Sequence, residues 1–143
     1  MNNYPEWWCD TVTLYNKYTA SNGEITWYRT VLKGCFWKYI TDYDRVDDRT
    51  EMTKVLLCRV RKSSKFLEDY LWAENTDRAN YFTFNEGDIL IKGEVSDVLD
   101  EYVSGSRSSD LLNKYKSRCA QITECEINVG GTRVNEHYRV RGI

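Results

Sequence analysis

The stretch from Asp10 to Tyr39 constrains this chain most, because strand, turn and strand signals follow one another there without a competing helical pattern. In Asp10-Thr-Val-Thr-Leu-Tyr15, Val12 and Leu14 alternate with Thr11, Thr13 and Tyr15, giving the two faces a strand requires. Ser21-Asn-Gly-Glu24 supplies turn residues that tolerate positive φ, and Ile25 to Lys33 is dominated by β-branched and aromatic residues. Gly34 separates that run from Cys35-Phe-Trp-Lys-Tyr39. Three consecutive antiparallel strands are the expected start.

At 143 residues, 41% of them hydrophobic and 14% aromatic, the chain has material for one compact core, so a single domain over 1–143 is expected. The 20 basic and 22 acidic residues nearly cancel, which argues against a general polyphosphate-binding surface. No run approaches the roughly 18 to 20 apolar residues of a membrane span. The start, Met1-Asn-Asn-Tyr-Pro5, lacks the basic and apolar regions of a signal peptide, so an intracellular protein with no membrane partner is expected. Cys9, Cys35, Cys58, Cys119 and Cys125 form an odd set without C-x-x-C spacing, and the single histidine, His137, has no cysteine near it in sequence. They read as reduced, mostly buried thiols.

An N-terminal arm, 1–9, precedes the first strand. Its Tyr4, Trp7 and Trp8 either pack on their own domain or dock on a neighbouring subunit. Residues 41–51 read as an acidic loop, in which Asp42, Asp44, Asp47, Asp48 and Glu51 outweigh Arg45 and Arg49. No D-x-D-x-D-G pattern or sharp-turn glycine favours a metal there. Met52 to Val60 returns to strand character; Arg59, Arg61 and Lys62 at its end could touch phosphate, but three charges at a strand end more often solubilise an edge. Ser63-Ser64 is placed to cap a short helix in which Phe66 pairs with Tyr70 and Leu67 with Leu71. Tyr81 to Phe84 and Ile89 to Val95 flank a glycine-containing turn, and Gly93 suggests a bend. A helical insertion is expected over 96–118, with short surface helices at Asp97 to Tyr102 and Asp110 to Lys116 joined by a Ser-rich link. That link lacks a phosphate-cradle pattern. A closing hairpin is expected from Cys119 to Val129 and Asn135 to Val140 around Gly130-Gly131-Thr132. In its first strand Gln121, Thr123, Cys125, Ile127 and Val129 share a face, and in its second Tyr138 and Val140 alternate with His137 and Arg139.

These elements add up to a mainly β fold, a small antiparallel β-barrel with one to three short surface helices. No nucleophile sits beside a base, and no thiol is placed at a helix N-terminus that would activate it, so no catalytic, cofactor or metal residues are assigned and a non-enzymatic role is expected.

Asp10-Thr-Val-Thr-Leu-Tyr15, the Gly23 to Trp27 hairpin, Val31-Leu-Lys-Gly-Cys-Phe-Trp37, Gly87-Asp-Ile-Leu-Ile-Lys-Gly93 and His137-Tyr-Arg-Val-Arg-Gly142 together resemble the head-closure and head-tail connector proteins of tailed bacteriophages, and small prophage proteins of Gram-positive hosts. The resemblance implies a small barrel that forms a homo-oligomeric ring in the virion neck. There it would extend the DNA channel, help retain the packaged genome, and contact a portal or adaptor protein and a tail-completion protein, with DNA passing without sequence-specific contact. The insertion at 96–118 and the acidic stretch depart from that pattern and leave stopper, adaptor and tail-completion positions open. In such a ring Asp42, Asp44, Asp47 and Asp48 are expected at the lumen or a subunit interface, and Tyr4, Trp7 and Trp8 on a docking arm. Two other classes fit the same residues: a small-barrel module that binds a peptide or nucleic acid through exposed aromatics, and a phage-encoded inhibitor of a host protein.

Overall fold

A computed structural model describes residues 4–128 and 136–143 of the protein. The expected turn Gly130-Gly131-Thr132, with Val129 and Asn135, lies outside the described residues. The fold is mainly antiparallel β, with strands β1 (Asp10–Thr19), β2 (Ile25–Val46), β3 (Arg49–Arg61), β4 (Ile89–Lys92), β5 (Cys119–Asn128) and β6 (His137–Gly142). Two short helices, α1 (Asp69–Glu74) and α2 (Ser108–Lys114), and a 3-10 turn at Arg78–Asn80 complete it. The strands pair in the order β1-β2-β3-β6-β5-β4, and β4 pairs back onto β1, so the hydrogen-bonded circuit closes on itself.

Val12 and Leu14 face the interior, as their alternation predicts. They meet Leu32, Cys35, Trp37, Leu56, Cys58, Val60, Leu90, Ile122 and Val140 in one core. An aromatic group closes one end of it: Phe66 lies 4.2 Å from Tyr138 and 5.9 Å from Phe82 between ring centroids. The outer face of β1 and β4 is also covered. Tyr15, Ile89 and Ile91 are buried there beneath Val95, Leu99 and Leu111, and the Thr13 hydroxyl bridges Gly93 O and Val95 N. The 96–118 insertion is therefore a second apolar layer as well as a surface feature. It contains one helix, α2; the expected helix at Asp97 to Tyr102 is irregular chain, tied by its own side chains, with Asp100 accepting from Tyr102 N.

The expected second and third strands are one. β2 runs 22 residues, pairing with β1 as far as Cys35 and with β3 from Phe36 onward. Gly34 sits at the change of partner with φ +68°, where the β1 register also shifts. Inward-facing positions are Thr30 and Leu32 before it and Cys35 and Trp37 after it, so the glycine absorbs one residue and reverses the parity of the strand. A Cβ there would come within 2.5 Å of Arg61 Nε, which donates to Gly34 O. β5 shows the same device at the Ile122/Glu124 shift. Ala120 and Ile122 face the core before it and Cys125 packs against the core after it, so Gln121 and Thr123 do not share the face of Cys125.

The stretch 41–51 is not a loop. It is the end of β2, a two-residue turn at Asp47-Asp48 and the start of β3, paired from Thr41↔Lys54 to Val46↔Arg49. Asp47 and Asp48 adopt φ +49° and +65°, the left-handed pair that the tightest hairpin turns use. Two other segments differ from expectation. The helix after Ser63 begins at Asp69, because Phe66 is drawn into a bridge with Phe82 and Leu67 N bonds Phe82 O. That bridge is also why Tyr81 to Phe84 is an extended plug over the core end rather than a strand of the closed sheet.

Candidate functional site

Beyond Thr41 the β2-β3 hairpin leaves the closed sheet. The β1 ladder on β2 ends at Cys35, and the β6 ladder on β3 starts at Leu56, so the outer edges of both arm strands have no ladder partner among the described residues. At about 3.4 Å per residue the arm projects about 20 Å. One face carries the cross-strand pair Tyr43 and Met52, which are 66% and 71% exposed. Nearer the body on that face, Lys54 Nζ lies 4.1 Å over the Tyr39 ring. The opposite face carries Asp42, Asp44 and Val46 against Thr53, Glu51 and Arg49.

The four acids expected to act together are divided by this geometry. Asp42 is held on the body, its carboxylate 2.8 Å from Arg141 Nη2, and Arg141 also reaches Glu124 at 3.5 Å. Asp44, Asp47 and Asp48 are exposed near the arm's end and make no ion pair among the described residues. Asp44 stands directly opposite Glu51, and like charges in that position repel. Arg49 offsets this in part, at 3.6 Å from Glu51.

The N-terminal aromatics are also divided. Trp8 is buried, with Tyr4 stacked on it at 5.3 Å, His137 edge-on at 5.3 Å and Phe36 at 6.4 Å. Tyr4 donates to Glu136 O, and its hydroxyl accepts from Lys62 N. Tyr4 and Trp8 thus pack on their own domain, the first of the two readings given for the arm. Trp7 alone of the three is free to meet a partner, at 66% exposed.

Sequence reasoning saw the charges of Arg61 and Lys62 but missed the basic cleft they help to form where β2 and β3 diverge on the far side of Gly34. It encloses about 290 Å³ over Leu32, Val60 and Phe82, with Lys33, Arg61, Lys62 and Lys65 around it and no acid in its lining. Arg61 is spent on the carbonyls of Gly34 and Trp8, and Lys62 pairs with Glu136 at 2.7 Å. The Nζ groups of Lys33 and Lys65 make no hydrogen bond or ion pair among the described residues. Lys33 lies 28 to 32 residues from the other three cations in sequence, so only the divergence of two paired strands brings it to them.

Among the described residues the interior holds a buried carboxyl. Asp88, 1% exposed, accepts from Lys17 N at 2.9 Å, Asn16 Nδ2 at 2.8 Å and Asn85 N at 3.0 Å. Desolvation outweighs these donors and pushes its carboxyl from the usual 3.8 to about 6. Asn16 also bonds Thr83 O and accepts from Thr83 N, so the trio stitches β1 to the 81–88 segment. The five cysteines are all free; Cys35 and Cys58 are buried, Cys119 and Cys125 half-buried and Cys9 exposed. Contact with Cys35, then burial, holds the Cys58 thiol well above its ordinary range, and burial pushes Cys125 to about 12, so neither is activated as a nucleophile. Among the described residues, no three His, Cys, Asp or Glu side chains are grouped to hold a metal, and no helix is long and apolar enough to cross a membrane.

The features that stand out are therefore surfaces, an acidic arm and a basic cleft on a closed antiparallel sheet. The chain belongs to a family of unknown function, DUF6751, whose model matches residues 9–143. No curated protein and no solved structure matches it.

Proposed function

We propose that this protein is a structural subunit that assembles with copies of itself, and that its setting is the neck of a tailed bacteriophage. The closed six-stranded circuit is read as a small β-barrel forming the body of each subunit. A ring of such bodies would extend the DNA channel between portal or adaptor and tail-completion protein and help retain the packaged genome. The projecting acidic arm carries this reading. A two-stranded ribbon with open edges, an exposed Tyr43 and Met52 pair, and Asp44, Asp47 and Asp48 without ion pairs among the described residues buries no apolar face on its own subunit, and open strand edges invite a partner. Carboxylates on a lumen or subunit interface also repel passing phosphates, so the duplex does not adhere.

The test is the mass of the full chain in solution, alone and mixed with portal complexes or isolated heads, by native mass spectrometry and light scattering. Rings, or monomers that become rings on the portal, are the expected outcome. A chain that stays monomeric at high concentration and ignores heads and portals refutes the neck reading and leaves a binding module or a host-protein inhibitor.

A further inference from the structure

The cleft lies along the middle of β2, at Lys33, and the arm at its far end. Asp47 is 14 residues from Lys33 along β2, about 40 Å at strand spacing even with the bend at Gly34. An arm cannot fold back into its own cleft. Each surface nonetheless lacks what the other carries. The arm holds Asp44 against Glu51, with Asp47 and Asp48 at the turn, a local repulsion that the chain's own residues leave largely unrelieved. The cleft holds Lys33 and Lys65, which make no hydrogen bond or ion pair through their Nζ groups among the described residues, above an apolar floor and with no acid in its lining. The cleft also borders the edge of β2 from Ile25 to Cys35, which lies beyond the β3 ladder and has no strand paired on that side among the described residues, although Arg61 holds Gly34 O and Tyr102 holds Ile25 N. An entering strand would find backbone groups to pair with there, as well as cations.

We propose that the arm of one copy seats in the cleft of the next, Asp44, Asp47 and Asp48 meeting Lys33 and Lys65. This deepens the ring reading and rests on it, since it names the contact through which the copies join. The contact is heterologous, joining two different patches. Such a contact has no dyad at which to stop, and it propagates until it closes as a ring or runs on as a filament. Its strength falls with salt, because the facing charges are near the surface and screened over about 8 Å at physiological ionic strength.

Two full-length charge-reversed variants test it. One carries Asp44→Lys, Asp47→Lys and Asp48→Lys; the other carries Lys33→Glu and Lys65→Glu. All five sites are exposed; lysine at the positive φ of 47 and 48 weakens the turn, and circular dichroism checks that both variants still fold as the wild type does. In the first variant both surfaces are basic and in the second both are acidic, so each alone is expected to self-associate at least about tenfold more weakly than wild type by sedimentation. Mixed one to one, they regain complementary contacts in both directions and are expected to assemble, with alternating copies in native mass spectra. Variants that each assemble as well as wild type, or a mixture that stays monomeric while wild type assembles, overturn the arm-to-cleft contact and leave the ring reading intact. A wild type that is monomeric both alone and on portals overturns the ring reading itself.

Discussion

Replacing Asp88 by asparagine isolates the effect of one buried charge on the stability of the closed sheet. In the folded chain the Asp88 carboxyl is raised from the usual 3.8 to about 6, with burial the largest cause. The folded state therefore binds this proton more tightly than the unfolded state does. The stability so gained is fully present below about pH 4 and is lost as pH rises through about 6. At about 1.4 kcal/mol per pH unit between the two values, the full effect is about 3 kcal/mol, of which about 2.5 kcal/mol falls between pH 4 and pH 8. Asparagine carries no charge but turns an amide toward groups that are all donors, Asn16 Nδ2, Lys17 N and Asn85 N, so Asp88→Asn has a cost of its own. That cost does not vary with pH, whereas the relief from charge burial does. Urea unfolding of both proteins across that range is expected to show the variant gaining about 2.5 kcal/mol on the wild type from the acid to the alkaline end. Carboxyl NMR should place the Asp88 titration near 6. Parallel stability profiles, or a titration at or below about 4, would mean that three donors outweigh desolvation, and the reasoning fails.

Gly34→Ala places a Cβ at φ +68° against the Arg61 guanidinium and is expected to cost about 1 to 3 kcal/mol in a denaturant melt; an unchanged midpoint would show that the bend does not need glycine. Trp8→Ala, which removes the ring packed among Tyr4, Phe36 and His137, is expected to cost about 3 to 5 kcal/mol. Trp7→Ala should stay within about 0.5 kcal/mol in the same melt, and equal effects at the two positions would contradict the division of the N-terminal aromatics.

Alternation was legible wherever one face of a strand is buried and no residue is inserted. Val12 and Leu14, and Tyr138 and Val140, sit on the core as their spacing implies. It misled at Gly34 and at Thr123, where one absorbed residue reverses the parity and a periodic pattern breaks without a turn. The hairpin arm was illegible as β structure because neither of its faces is buried beyond Thr41, so selection for a buried stripe is absent and charge density mimics a loop. Its turn also uses two aspartates at positive φ where Asn-Gly is the recognisable signal. Of the candidate site, the acids were visible as a local run. The basic cleft was not, because Lys33 and Lys65 meet only through the pairing of strands distant in sequence.

Strand β2 has a mechanical consequence. It passes from the wall of the closed sheet into the arm without a joint, and eleven pairs from Phe36↔Arg59 to Val46↔Arg49 bind it to β3 along that whole length. A pull on the arm's tip along its axis draws β2 and β3 together, so the shear falls on the ladders that join them to β1 and β6. Force received at the tip is delivered straight to the strand that carries Cys35 and Trp37 in the core. The projecting ribbon and the body of the subunit thus share one strand, and a load on the first is carried by the second.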